Sequence, residues 1–292
     1  MYDQVTKLRR LVKEKEEEVK LEKMRVITVS SGKGGVGKTS LVVNLALALA
    51  EREYRVIILD GDLGLANVDV AFGVIPDYNI KHLISGEKEI EEILYPVARG
   101  IKIFPGASGI VELANLEKEQ LKNVLVNMGR LEKMTDILLI DTGAGIGQTV
   151  LSFISAADDV FVVLTPAPTA MTDAYGLIKA ISSLPTKVNI YVVINMVDNE
   201  LEAQQTYARL EQAVTKFLGV PIHLIGWIYK DPLVSRSVMN QKPVGFTNPH
   251  SIAYECVQWI AGNIMENYLR SPKVNKGIKG FIYTLLRLQK ER

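Results

Sequence analysis

One short segment of the chain has residue types and spacing that could hold a nucleotide phosphate: GKGGVGKT at residues 32–39. It fits the pattern G-x-x-x-x-G-K-[ST], in which backbone N–H groups surround the phosphate oxygens. In that pattern the lysine, here Lys38, reaches the β- and γ-phosphates, and the hydroxyl of Thr39 binds Mg²⁺. A second lysine, Lys33, lies five positions earlier. The general pattern does not require this lysine, so its role needs a separate explanation.

Carboxylates that follow apolar runs could complete this phosphate chemistry. Asp141 ends a run and is followed by TGAG, whereas Asp60 and Asp62 lie in DGDLGLANVD after VIIL. Since the carboxyl ends of parallel strands face the phosphate loop, Asp141 and Asp62 are predicted to organise Mg²⁺. One of Asp60 and Asp62 would hold a Mg²⁺-bound water and the other would position the attacking water. Turn-forming acids are the alternative for this pair, and Asp69 is interpreted as a structural cap or a loop carboxylate.

The elements that would position these residues alternate along the chain. Runs rich in valine, isoleucine and leucine predict strands buried on both faces at residues 25–30, 56–59, 101–104, 137–140, 160–164, 188–194 and 223–228. Helical patterns lie between most of them, at residues 39–51, 116–131, 170–184 and 200–217. The alternation predicts an α/β fold with a mainly parallel, doubly wound sheet flanked by helices, as in P-loop NTPases.

Composition excludes several other classes of protein. The 34 Lys and Arg residues nearly balance 33 Asp and Glu residues, so no global field would attract nucleic acid, which is not an expected partner. The single cysteine, Cys256, cannot form a disulfide or an iron-sulfur site within one chain. Without a run of about 18 apolar residues, a membrane span is not expected, and we expect a cytoplasmic protein.

The two ends of the chain differ from its body, which we place at residues 24–270. Residues 1–23 contain VKEKEEEVKLEK, which predicts a solvated helix or a flexible tether. Residues 271–292 combine a tether with an apolar helical stripe made by Ile278, Phe281, Ile282, Leu285 and Leu286. Such a helix could pack on its own domain. Its terminal position and its basic flanks favour instead a helix that lies on an anionic membrane surface.

Together, KGGVGKT, LDGDLGLANVD and LLIDTGAG resemble the deviant Walker A loop and the switch motifs of the MinD/ParA ATPases, over about residues 24–269. The resemblance implies ATP and Mg²⁺ as cofactors. It implies that Lys33 reaches across an ATP-dependent homodimer to the partner's phosphates, where it acts in catalysis with Lys38. The nucleotide would be held by Gly32, Lys33, Gly34, Gly35, Val36, Gly37, Lys38, Thr39 and Ser40.

Base recognition is also implied by this resemblance. Asn195, at the end of YVVIN, matches the asparagine with which the family reads adenine, and the N-K-x-D signature of guanine-binding proteins is incomplete. Asp231 and Pro232 are expected to complete the pocket through backbone contacts, although an ordinary loop is the alternative. Asp173 is either a residue of the dimer or partner surface or a plain helix carboxylate.

The amino-terminal segment DQVTKLRRLV resembles an element of one group in this family, called FlhG, YlxH or FleN. Asp3, Gln4, Leu8 and Arg9 match its D-Q-A-x-x-L-R pattern, with valine in place of the alanine. The match implies control of flagellar number and placement through activation of an FlhF-type GTPase. Components of the flagellar basal body are further expected partners, and MinD-type proteins carry a comparable carboxyl-terminal membrane-targeting helix.

Two other functions share parts of this pattern. A MinD-type division-site ATPase has the same core and terminal helix but lacks the D-Q element. A ParA-type ATPase that partitions DNA would bind nucleic acid through basic surface residues, which the balanced charge and the apolar terminal stripe disfavour.

Overall fold

The computed structural model describes residues 24–62, 67–98, 100–105, 118–270, 280–282 and 284–285. Its strands are β1 (Arg25–Ser31), β2 (Val56–Gly61), β3 (Tyr95–Ala98), β4 (Ile101–Phe104), β5 (Ile137–Ala144), β6 (Asp159–Leu164), β7 (Asn189–Val197) and β8 (His223–Tyr229). They form one sheet in the order β3-β4-β2-β5-β1-β6-β7-β8. Neighbouring strands are parallel except for β3 and β4. The mainly parallel sheet predicted from the sequence is therefore confirmed.

Helices cover both faces of this sheet. They are α1 (Lys38–Ala50), α2 (Asn67–Phe72), α3 (Ile80–Ile84), α4 (Ile90–Ile93), α5 (Lys118–Met134), α6 (Gln148–Ala156), α7 (Pro168–Ser182), α8 (Glu200–Leu218), α9 (Pro232–Met239), α10 (Val244–Thr247) and α11 (Ile252–Arg270). The four helical patterns recognised in the sequence correspond to α1, α5, α7 and α8. None of the described helices is long and apolar enough to cross a membrane.

The core lies in layers on the two faces of the sheet because successive strand residues point to opposite sides. One face packs against α1 and α11, with Ile27 and Val29 of β1 among its buried residues. The other face carries two clusters, one around α6 and the other around α7 and α8. Every residue of β1 is buried, which explains why its sequence is an apolar run and not an alternation.

A buried ion pair fixes the amino-terminal ends of the central strands. The Arg25 guanidinium donates to both carboxylate oxygens of Asp159, at 2.7 and 3.0 Å, and both side chains are almost fully buried. Asn189 also donates to Asp159, at 2.7 Å. Strands β1, β6 and β7 are thereby joined at the edge of the sheet opposite the phosphate loop.

Three residues of the carboxyl-terminal stripe lie in the core of the protein. Phe281, Ile282 and Leu285 lie in helical backbone and are 1%, 0% and 3% exposed. They belong to the core cluster around α6, where the rings of Phe281 and Phe153 stack with centroids 6.4 Å apart. In this conformation the three described residues pack on the domain itself, which is the alternative stated for the stripe, and its contact with a membrane stays a prediction. Two other stripe residues assigned to membrane contact, Ile278 and Leu286, lie outside the described residues.

Candidate functional site

The phosphate loop joins β1 to α1 at the carboxyl edge of the sheet, as its sequence context predicts. Gly37 has φ 89, a left-handed conformation, and ends the loop at the amino terminus of α1. Gly32 packs so closely on α7 that an added Cβ would lie 2.2 Å from the carbonyl oxygen of Asp173. Gly34 and Gly35 are exposed, whereas Val36 is buried. The loop is thus anchored at both ends, with its middle open to a ligand.

The two lysines of the loop have different partners. Lys38 Nζ donates to Ser31 Oγ at 2.9 Å, and burial lowers its pKa, partly opposed by the nearby carboxylates of Asp141 and Asp62. Lys33 Nζ instead donates to Thr169 Oγ1 at 2.9 Å, in the first turn of α7. Within a single chain, therefore, Lys38 points into the site, and Lys33 is held on the neighbouring helix.

Asp141 lies at the end of β5 and meets the hydroxyl of Thr39, which donates to its Oδ2 at 2.6 Å. Burial raises the pKa of Asp141 to about 7, with a lowering contribution from the Thr39 hydrogen bond and a raising one from Asp60. The other oxygen, Oδ1, is buried and has no hydrogen-bond partner. An oxygen-only pair with an unsatisfied carboxylate oxygen fits Mg²⁺ and its waters.

The described residues contain no group of three or more His, Cys, Asp or Glu side chains that could hold a metal ion. Mg²⁺ is commonly held by one or two carboxylates together with substrate phosphates. Thr39 and Asp141 are the residues that would hold it. Asp62, the third ligand predicted from the sequence, lies on the neighbouring strand end, with its Oδ1 3.5 Å from the Cβ position of Gly143.

The carboxylate of Asp60 is engaged by backbone groups, and the direct catalytic role predicted for it stays a prediction. Its carboxylate accepts hydrogen bonds from the backbone N–H groups of Asp62, Asn67 and Val68, at 3.1, 2.8 and 3.0 Å. Burial raises its pKa, and these backbone bonds lower it. A buried carboxylate used in this way fixes the start of α2 to the end of β2, so Asp60 positions the segment that carries Asp62.

Asp69, interpreted from the sequence as a structural cap or a loop carboxylate, lies in the first turn of α2. Burial raises its pKa to about 6, and the charge of Asp60 adds to this rise. Its Oδ1 is buried without a hydrogen-bond partner, so the carboxylate itself makes no cap through that oxygen. The cap of this helix is instead provided by Asp60.

A cavity of about 310 Å³ lies beside the phosphate loop. Its walls include Gly37 of the loop, Ser40 of α1, Asn195 near the end of β7, and Asp231 with Pro232 at the start of α9. Both oxygens of Asp231 accept backbone hydrogen bonds, from Leu233 and Ala253. Its side chain therefore helps to hold the starts of α9 and α11 in place, and the contact of its backbone with a base stays a prediction.

Sequence reasoning missed several residues that the fold adds to the site. Asn67 donates to Asp62 at 3.3 Å, Ser31 binds Lys38, Thr169 binds Lys33, and Met196 lines the base cavity. The amide of Asn67 and the hydroxyls of Ser31 and Thr169 are small polar groups, which give only a weak signal in the sequence.

The residues assigned to partner activation, Asp3, Gln4, Leu8 and Arg9, lie outside the described residues.

Comparisons with known proteins show which proteins the chain is similar to. The CobQ/CobB/MinD/ParA nucleotide binding domain matches residues 27–244. The chain is 39% identical over 230 residues to the antiactivator FleN of Pseudomonas aeruginosa, covering 79% of this chain and 82% of FleN. It is 35% identical over 268 residues to the flagellum site-determining protein YlxH of Helicobacter pylori, covering 90% of each. The septum site-determining protein MinD of Bacillus subtilis is 30% identical over 235 residues, with 78% and 85% covered.

Solved structures share the fold. The MinC:MinD cell division complex of Aquifex aeolicus superposes with a TM-score of 0.67 at 24% identity, covering 83% of this chain and 96% of that one. MinD of Pyrococcus horikoshii, solved with Mg-ADP, gives a TM-score of 0.63 at 23% identity, covering 86% and 99%. The resemblance stated from the motifs is confirmed by the FleN and YlxH matches and by the domain match. The chain belongs to the CobQ/CobB/MinD/ParA family of nucleotide-binding proteins, in which FleN and YlxH are among its relatives.

Proposed function

We propose that the chain is a Mg²⁺-dependent ATPase whose ATP-bound form dimerises and which regulates flagellar number or placement. The single observation that supports nucleotide hydrolysis is the hydrogen bond from Thr39 to Asp141, whose other carboxylate oxygen is buried without a partner. This pair lies beside Lys38 and the phosphate loop. The flagellar part rests on the similarity to FleN and YlxH, whose names describe an antiactivator and a flagellum site-determining protein.

The residues of the site have distinct tasks in this proposal. Lys38 binds the β- and γ-phosphates, and Thr39 and Asp141 hold Mg²⁺, which when bound neutralises charge on the phosphate oxygens. Asp62 orients the attacking water, and Asn67 holds the Asp62 carboxylate in place. ATP hydrolysis in the presence and absence of Mg²⁺ tests this assignment. Asp62→Asn should bind ATP but lose most turnover, and turnover at the wild-type rate would contradict it.

Dimerisation gives the second lysine its task. Lys33 must leave Thr169 of its own chain to reach a phosphate bound by a partner, where a cation stabilises the developing charge. We expect Lys33→Ala to bind ATP yet remain monomeric in light scattering with a non-hydrolysable analogue. Lys216→Ala, at the end of α8, is the matched control. A Lys33→Ala dimer of wild-type stability would disprove the action across the interface.

The proposed partner of the amino-terminal element is an FlhF-type GTPase, with basal-body components as further partners. The proposal rests on the match of residues 3–9 to the D-Q-A-x-x-L-R element. A peptide of residues 1–22 should accelerate GTP hydrolysis by the cognate GTPase, and a Gln4→Ala peptide is the control. If neither peptide changes the rate, the element does not act on this partner.

Reversible membrane association is the third part of the proposal. The apolar stripe can enter a lipid surface only after Phe281, Ile282 and Leu285 leave the core cluster around α6. Each of these side chains contributes about 1.5–3 kcal/mol by burial, so one copy should bind anionic membranes weakly. Two copies in a dimer act together at high effective concentration. Liposome sedimentation with ATP tests this, since binding that persists after truncation beyond Asn275 would exclude the stripe.

A MinD-type role in division-site placement is the alternative, because MinD of Bacillus subtilis covers most of the chain at lower identity. It predicts the same ATPase and membrane behaviour but no effect on the GTPase. Deleting the gene and scoring flagella against division septa separates the two roles. Normal flagellar number with misplaced septa would favour the alternative.

A further inference from the structure

Met196 adopts an unusual backbone conformation next to the base cavity. Its φ is 59, in the left-handed region that unbranched non-glycine residues enter only at an energetic cost. Among the described residues, Glu53 and Gln241 are the other non-glycine positions with positive φ. The residue also interrupts the pairing of β7 with β8, because Asn195 pairs with Ile228 while Val197 pairs with the next residue, Tyr229. Met196 is therefore the extra residue of a β-bulge.

This conformation determines how the side chain of Asn195 is oriented. The N–H of Met196 donates to Asn195 Oδ1 at 2.9 Å. On the other side of the amide, Asn195 Nδ2 donates to the carbonyl oxygen of Val36 in the phosphate loop, at 2.8 Å. Gly37 allows this approach, since a Cβ there would lie 2.3 Å from Asn195 Nδ2. The amide is held from both ends, so it cannot turn over without losing both hydrogen bonds.

An amide fixed in this way can form only a limited set of further hydrogen bonds with a ligand. A carboxamide has two N–H donors and an oxygen with two lone pairs, and one of each is used by Val36 and Met196. What remains for a ligand is one donor and one acceptor side by side. Adenine presents the complement, an N6 amino donor next to the N7 acceptor, whereas guanine presents two acceptors, O6 and N7. At this edge of a bound base, a fixed Asn195 would pair with the N6 and N7 atoms of adenine, whereas O6 and N7 of guanine would leave its own acceptor without a donor.

We propose that Met196 is a positioning residue for base selection: its left-handed backbone points its N–H at Asn195 and so fixes the amide in the orientation that selects adenine over guanine. The proposal rests on the nucleotide-binding function proposed above and extends it to a residue that no motif identifies. Glycine would adopt the same conformation without strain. Methionine also supplies a side chain that lines the cavity and whose Cε lies 3.6 Å from the Cβ position of Gly37.

The test compares substitutions that differ in their tolerance of left-handed backbone. Met196→Val disfavours that conformation because valine is β-branched, Met196→Asn favours it, and Met196→Leu is the matched control of similar size. Titration calorimetry on the full chain with Mg²⁺ measures binding of ADP and of GDP. We expect the leucine and asparagine variants to keep the wild-type preference for ADP, and the valine variant to lose it by about tenfold or more.

Thermal unfolding supplies an independent readout. Met196→Asn should unfold at a higher temperature than wild type because the backbone strain is relieved, while its preference for ADP is unchanged. This variant keeps the test decisive even if the valine variant does not fold. Loss of the preference in the asparagine variant, or an unchanged preference in a folded valine variant, would overturn the role of Met196. A wild-type chain that bound neither nucleotide would instead refute the proposed function itself.

Discussion

Replacing Asp141 with asparagine should stabilise the nucleotide-free protein at neutral pH while removing its ability to hold Mg²⁺. The carboxylate is buried and has one oxygen without a hydrogen-bond partner, and burial raises its pKa from the ordinary 3.8 to about 7. The folded state therefore binds a proton here that the unfolded state releases. The stability contributed by that proton is fully present below pH 3.8 and is lost as the pH rises through about 7.

The magnitude follows from the same pKa. One pKa unit corresponds to about 1.4 kcal/mol of stability, so the rise in pKa from 3.8 to about 7 corresponds to about 4 kcal/mol. About 3 kcal/mol of this stability is lost between pH 5 and pH 8. Asparagine carries no charge at either pH and can still accept the hydrogen bond from Thr39. The stability difference between Asp141→Asn and wild type should therefore be about 3 kcal/mol more favourable to the variant at pH 8 than at pH 5.

Urea unfolding at the two pH values, without nucleotide and with a chelator, measures this difference directly. Comparing variant with wild type at each pH cancels the titration of all other groups. Asp198→Asn, a surface aspartate paired with Lys230, is the matched control and should show the same difference from wild type at both pH values. If the stability difference between Asp141→Asn and wild type is also the same at pH 5 and pH 8, burial does not raise the pKa of Asp141 in the folded protein.

Three shorter predictions concern other parts of the molecule. Gly37→Ala should weaken ATP binding at least tenfold in calorimetry, because the added Cβ would lie 2.3 Å from the amide nitrogen of the base-pocket asparagine; undiminished affinity would contradict this contact. Asp159→Ala should lower the free energy of unfolding by about 3–5 kcal/mol because it leaves Arg25 buried without its ion-pair partner, and urea titration measures the loss. Phe153→Leu should raise liposome binding because it removes the ring that stacks on Phe281 and leaves the stripe itself intact. Phe281→Ala should lower liposome binding because it removes part of the stripe. Equal effects of the two substitutions in sedimentation would refute the release of the stripe from the core.

The fold was predictable where local sequence carries the signal. Strands such as β1 and β5 are buried on both faces, so their apolar runs are unmistakable, and the glycine spacing of the phosphate loop depends only on neighbouring residues. The antiparallel strand β3 was not predicted, because it has four residues, contains Pro96 and lies at the edge of the sheet. A partly exposed edge strand lacks the continuous apolar pattern on which the prediction depends.

The sequence allowed candidate site residues to be named, but it did not show which atoms each side chain contacts. Asp60 and Asp62 look equivalent in the sequence, and only the folded backbone shows that the first holds the start of α2. The contact between Lys33 and Thr169 joins residues 136 positions apart, which no local pattern encodes. The left-handed backbone of Met196 is likewise invisible because methionine gives no sequence signal for it, unlike a glycine.

Helix α6 connects two regions that have been described separately. It begins immediately after Gly147, in the loop that follows Asp141, and its face toward the core carries Phe153 against Phe281. Its nine residues span only about 14 Å at the rise of an α-helix. A short rigid rod of this kind transmits a displacement from one end to the other. A rearrangement of the loop before α6 would therefore shift the face of this helix that packs against Phe281.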